Sequence, residues 1–303
     1  MRRGGITRKE LRAAIVLAAP LAGLAGAPGI ARAVDAEFSA TRVEASYTSD
    51  NNVTRASGAD ALRDRILGLR VSKSLLLPVS THTRAVFQRF AGGEKFNTYT
   101  GLSHNFLGAQ GDFQFRSSAE FGAATYAAFF RTQAEYYESS LRDCYRHVYG
   151  LSVLKPITDR IQFFGAIQQN IGDGKSIVFD THSTSLRGNL DWSLTRWDTV
   201  YLGAEYRRGD IVSTGVQTLA RVNTADAIVQ DDAFNDAALF AYRFQASTWL
   251  ATFGYNHAFA ERHSLDISWR RAQSEPLHAS GYGLASDARY AANQLSLAYL
   301  MRF

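Results

Sequence analysis

Segments of about ten residues in which apolar and polar side chains alternate recur along this chain, separated by short stretches of turn-forming residues. In 184–195, Leu186, Gly188, Leu190, Trp192 and Leu194 oppose Arg187, Asn189, Asp191 and Ser193. In 38–49, Val43, Ala45 and Tyr47 oppose Arg42, Glu44 and Ser46, and in 65–76, Leu67, Leu69 and Val71 oppose Gly68, Arg70 and Ser72. The same alternation runs through 126–138, 198–208 and 263–273, and a last segment, 294–303, ends on Phe303. Side chains alternate faces only along a β-strand, so the pattern predicts strands with one apolar and one polar face. Further strands are expected at 82–91, 97–107, 143–155, 159–171 and 240–254, which brings the count to twelve. Region 107–124 is ambiguous, because Gly108, Gly111 and Gly122 leave the turn position open.

After residue 33 no uninterrupted apolar run is longer than Ala237–Tyr242. A membrane helix needs about twenty apolar residues, so residence in a bilayer would have to be through strands. Ten-residue alternating segments are the sequence signature of a barrel whose apolar faces meet lipid. The last segment sets Leu295, Leu297, Tyr299, Met301 and Phe303 against Gln294, Ser296, Ala298, Leu300 and Arg302. It resembles the terminal strand of bacterial outer-membrane β-barrel proteins. That resemblance implies an assembly signal at Tyr299, Met301 and Phe303, read by the barrel-assembly machinery. The expected fold is therefore all-β, a single transmembrane antiparallel β-barrel of about twelve strands in the cell outer membrane. A soluble β-sandwich is the alternative, though its strands are shorter.

The first residues fit this destination. Arg2, Arg3, Arg8, Lys9 and Arg12 precede an apolar stretch from Ala13 to Ala27, and Ala31-Arg32-Ala33 offers small residues at the positions a signal peptidase reads. Segment 1–33 is expected to be a signal peptide, leaving 34–303 as the barrel. The chain carries a formal charge of +5, but removing the six basic residues and one acid of 1–33 from totals of 33 and 28 leaves the signs balanced. Nothing basic remains to argue for nucleic acid. Three prolines, Pro78, Pro156 and Pro276, are left, which suits unbroken strands.

An even strand number places both ends of the barrel wall on one side, the periplasmic one. Odd connections should then be long and extracellular, and even ones short. The long ones fall at 50–64, 172–182, 209–239 and 274–289, and the short ones at 78–81, 155–160, 195–198 and 257–263. Trp192, Trp197, Tyr255 and Tyr299 fall near the short-turn end, where amphipathic rings favour the interface.

The candidate chemistry lies on the polar faces. Arg70, Arg131, Arg187, Arg207, Arg243 and Arg270 are expected to face the lumen, together with Glu135, Asp191, Glu205 and Asp266. Guanidinium groups can line a pore and hold carboxylate or phosphate in a fork. They can equally pair with Glu44, Glu135, Asp191, Glu205 and Asp266 and fill a narrow lumen. His182-Ser183 with Asn189 invites comparison with hydrolytic sites, but the serine sits on the opposite face from the histidine. The acidic stretch Asp226, Asp231, Asp232 and Asp236 matches no calcium-loop spacing and reads as a solvated loop. Cys144, the one cysteine, reads as a packed residue. No metal or cofactor is expected.

These features favour a porin-like narrow channel for small, anionic solutes, with outer-membrane lipids as its surroundings. A plugged structural or assembly barrel and an outer-membrane lipid- or ester-processing enzyme share the same fold and remain open.

Overall fold

The computed structural model describes residues 39–278 and 288–303; segment 1–33 and the middle of the last long connection lie outside them. Strands β1 (Ser39–Asp50), β2 (Asp64–Pro78), β3 (Thr83–Phe96), β4 (His104–Arg116), β5 (Thr125–Tyr137), β6 (Cys144–Pro156), β7 (Ile161–Gly174), β8 (Thr181–Ser193) and β9 (Asp198–Val216) each pair antiparallel with the next. A short β10 (Ala227–Gln230) interrupts the connection to β11 (Leu239–Ala260), which pairs with β9. Strands β12 (His263–Pro276) and β13 (Tyr290–Arg302) follow, and β13 pairs with β1 to close a twelve-strand barrel. Closure removes every wall edge, so each wall strand finds backbone partners on both sides, as a bilayer demands.

The burial pattern is inverted relative to a water-soluble protein. Outward positions carry exposed Leu67, Leu69, Leu107, Phe113, Leu151, Ile167, Leu186, Leu202, Trp249, Phe253 and Leu295. Inward positions carry buried Gln110, Glu135, Gln168, Ser185 and Asn256. A continuous apolar girdle of this extent is far larger than a soluble monomer exposes, and it fits lipid. At the short-turn end Tyr299 stacks with His263 and Phe259, and Trp192 and Tyr255 lie on the same outward rim. Pro78, Pro156 and Pro276 are the last residues of β2, β6 and β12, where a missing N–H costs no ladder bond.

Two expectations are corrected. The strand expected at 97–107 begins only at His104. The Asp64 carboxylate accepts from the backbone N–H groups of Thr98 (3.0 Å) and Tyr99 (2.8 Å), so these donors are committed to a loop rather than a ladder. The ambiguous 107–124 resolves into the rest of β4, through Arg116, and a turn. Gly108 belongs to the strand, in register with Phe90 and Gln133, and glycine fits there because a Cβ would meet the Phe90 ring at 2.5 Å.

The second correction concerns β9 and β11, which run well past 208 and begin before 240. Gly209 is the last β9 residue paired with β8, and its φ of +141° is a conformation L side chains rarely adopt. Beyond it, β9 and β11 continue as a hairpin extension across the loop end of the barrel. One apolar cluster joins its Ala233, Phe234 and Leu239 to Val53 and Leu62 of the connection 51–63, to Phe96 at the end of β3, and to Tyr99 and Leu102 of the connection 97–103. A second joins Tyr242, Phe244 and Ala246 to Ile211 and Ile228. The extension reaches connections that start from four different strand pairs, so it bridges the mouth.

Candidate functional site: the arginine-lined lumen

Inward parity brings the site together from distant strands. The lumen holds a cavity of about 630 Å³ between the extension and the lower wall. Arg42, Arg70, Arg131, Arg142, Arg146, Arg187, Arg207 and Arg270 line it, against Glu44, Glu205 and Asp210. Ile211 and Val212, just past Gly209, also line it, so the extension forms part of its roof.

The arginines divide into two sets. Arg146 grips Glu135 through Nε at 2.9 Å and Nη2 at 3.0 Å, and Arg207 holds Glu205 at 2.8 Å. Glu135 also accepts from Tyr137 Oη (2.9 Å), from Gln133 and from Cys144 Sγ (3.3 Å), which leaves it saturated. The other set, Arg42, Arg70, Arg131, Arg187 and Arg270, has no carboxylate within 4.0 Å among the described residues. Arg70 and Arg131 share one aromatic support: their guanidinium carbons lie 4.3 and 5.1 Å from the Phe90 ring centroid. Arg131 is steadied by Gln133 Oε1 at 2.6 Å, and Arg187 lies 5.0 Å from the Phe164 ring. Rings orient a guanidinium without consuming its donors, so these forks stay available to an anion. Gln110, fully buried and in register with Arg131, has neither amide atom hydrogen-bonded.

The remaining expected lumen residues take other roles. Asp191 faces inward and pairs with Asn189. Asp266 accepts from Tyr201 Oη at 2.9 Å near the turn end and does not line the cavity. Arg243 does not face the lumen: it stands beyond the wall on the extension and shares the outward parity of Trp249 and Phe253. Its Nη1 donates to the carbonyls of Ile177 (2.7 Å) and Asp180 (2.6 Å), tying the extension to the connection after β7. Phe90, Arg42 and Arg146 carry as much of the lumen as the residues singled out by sequence; Arg42 and Arg146 were legible as polar-parity residues, whereas Phe90 was not.

The acidic stretch is solvated at Asp226, Asp232 and Asp236, which are exposed, but not at Asp231. Asp231 is 1% exposed and pairs with Arg142, while Thr214 Oγ1 donates to it at 2.7 Å. Asp232 accepts from Ser139, and Asp60 pairs with Arg221. These contacts latch the extension to the connections 51–63 and 138–143. At the same mouth, Arg55 donates to both oxygens of the buried Asp50 carboxylate, Nη1 at 3.0 Å and Nη2 at 2.6 Å. His182 and Ser183 lie on opposite faces of β8, with Ser183 at the cavity and no ring nitrogen bonded to it. Phe303 closes the chain with its N–H on Thr41 O at 2.8 Å, and Tyr299 and Met301 face outward beside it.

No family model matches the chain, and no curated protein matches it in sequence. Its fold recurs in solved structures. The COG4313 outer membrane channel from Pseudomonas putida F1 is 9% identical, with a TM-score of 0.58 over 92% of this chain and 100% of that one. The KdgM porin in complex with disordered oligogalacturonate is 8% identical, with a TM-score of 0.44 over 86% and 99%. The NanC porin is 8% identical, with a TM-score of 0.44 over 86% and 98%. Such identities speak to fold alone. With its closed wall and apolar girdle, the chain has the fold of an outer-membrane β-barrel.

Proposed function

We propose that this barrel is a porin-like narrow channel for small anionic solutes, with the β9–β11 extension as the constriction at its mouth. One observation carries the reading: a lumen cavity in which five arginines have no carboxylate within 4.0 Å among the described residues. Charges in a water-filled lumen need no partner, whereas in a sealed one each unpaired guanidinium would be costly. The surplus of cationic forks favours anions, as rings of Arg and Lys do in other anion pores. The proposed chain reaches the outer membrane after loss of 1–33 and is inserted through its terminal strand.

A second reading, a plugged barrel, is favoured by the latched extension. Single-channel recording of refolded protein separates the two. The channel reading expects small anion-selective steps, and Arg70→Gln with Arg131→Gln should move the reversal potential in a salt gradient toward cations. These exposed-to-water charges should change stability by only about 0–1 kcal/mol each. Absent conductance, together with a lower unfolding midpoint in the variant, would establish the plug instead.

A further inference from the structure

The outer wall holds a feature the channel does not use. Along β2 the outward positions run Leu67, Leu69, Val71, Lys73, Leu75 and Leu77, so Lys73 interrupts an otherwise apolar row. Its register partner on β3 is Arg89, which shares the outward parity of Phe87 and Ala91. Both are exposed, and neither makes a hydrogen bond, ion pair or ring contact among the described residues. Like charges directly opposed across a sheet repel, and cations on the lipid face of a barrel are most costly near the midplane. Lys73 is five residues from the turn-end residue Pro78, and Arg89 is six from Thr83. Their stems can therefore run beside Leu75 and Phe87 in the direction of the turn-side headgroups.

A second copy of the chain offers no remedy. Among the described residues, outward acids stand only at strand ends: Asp173 and Glu275 at the loop end and Asp198 at the turn end. None reaches the level of Lys73. The surroundings do supply an anion on that side, the phosphate of a membrane lipid. Small outward residues around the pair, Ala85, Ala91, Gly93 and Ala109, leave room for a headgroup to approach.

We propose that Lys73 and Arg89 together form a binding site for the phosphate of an anionic phospholipid in the turn-side leaflet. The pair acts as a fixed two-cation clamp on the wall of β2 and β3. It recognises charge rather than acyl chain.

Native mass spectrometry of the intact barrel, released from nanodiscs of phosphatidylglycerol and phosphatidylcholine, tests this. Wild type should keep phosphatidylglycerol selectively. In Lys73→Leu with Arg89→Leu, which suits a lipid-facing wall and should fold, that preference should drop by roughly an order of magnitude or more, given two surface cations. Arg271→Leu, outward but toward the loop end, should leave it unchanged. No lipid preference in wild type, a preference that survives the double change, or a dimer that the double change dissolves would each overturn the proposal.

Discussion

The two ends of this barrel solve the same problem by opposite means. At the turn end, connections such as 157–160 and 194–197 are four-residue turns closed by hydroxyls: Thr158 Oγ1 accepts from the N–H groups of Arg160 (3.2 Å) and Ile161 (3.0 Å). These groups are exposed, and among the described residues no contact crosses the opening from one such turn to another. At the loop end, a hairpin that outgrows its neighbours bridges the mouth and fastens itself with buried charge: Asp231 on Arg142 and Asp60 on Arg221. A short turn needs only local hydrogen bonds, because the two strands it joins already hold it. A long segment must find tertiary partners to offset the entropy of its own ordering. The difference teaches where stability and mutability should concentrate.

The largest effect is expected at the latch. Asp231→Ala strands the Arg142 guanidinium in a half-closed site and should lower stability by roughly 3–5 kcal/mol, the cost of breaking a buried pair. Denaturant unfolding of the refolded barrel measures it, and protease cleavage within 217–238 should accelerate in parallel. Resistance of 217–238 equal to wild type would remove the latch from the picture.

Next in size is the kink. At Gly209 a Cβ would meet His182 O at 2.3 Å and Ser183 Cα at 2.6 Å, on a backbone at φ +141°. Gly209→Val should cost at least about 1–3 kcal/mol through backbone strain, with the clash in addition. A thermal midpoint within error of wild type would show that the extension leaves the wall some other way.

A smaller effect belongs to Asp50 and Arg55, where Arg55 Nη2 donates to the buried carboxylate at 2.6 Å. Asp50→Asn removes the charge from this pair while keeping an acceptor, so the hydrogen-exchange protection of 51–63 at neutral pH should fall. Unchanged protection would assign the ordering of this connection to other contacts.

The smallest effect is expected at the turn end, where Thr158→Ala should stay within about 0.5 kcal/mol. A loss as large as that of Asp231→Ala would erase the contrast between the ends.

The wall was legible in the sequence because a two-residue period survives wherever one face meets lipid and the other water. Leu186 through Trp192 and Leu295 through Tyr299 needed only that rule. Residues 97–103 escaped it because Asp64, a residue distant in sequence, recruits their backbone donors. The extension escaped for a related reason. Leu239 through Tyr242 are apolar on successive positions because both faces are covered, Leu239 by 51–63 and 97–103 and Tyr242 by Ala225 and Ala288, so no alternation announces a strand. Arg243 belongs to the same stretch: counted back from outward Trp249 and Phe253 its parity is outward, but the apolar run beside it hides that register. The paired and unpaired arginines could not be told apart from sequence, since that depends on which strands face each other across the barrel.

The ladder between β9 and β11 is unbroken from Asp198–His257 at the turn end to Val216–Leu239 at the tip. Wall and roof are therefore one ribbon, and force applied to the roof is not absorbed at a slack joint. Pulled apart at the tip, its hydrogen bonds carry the load one rung at a time and open like a zipper. Pushed from within the lumen, the same rungs share the load, and the ribbon bends as a stiff lever about Gly209. The roof is mechanically soft to a tug at its edge and hard to pressure from below.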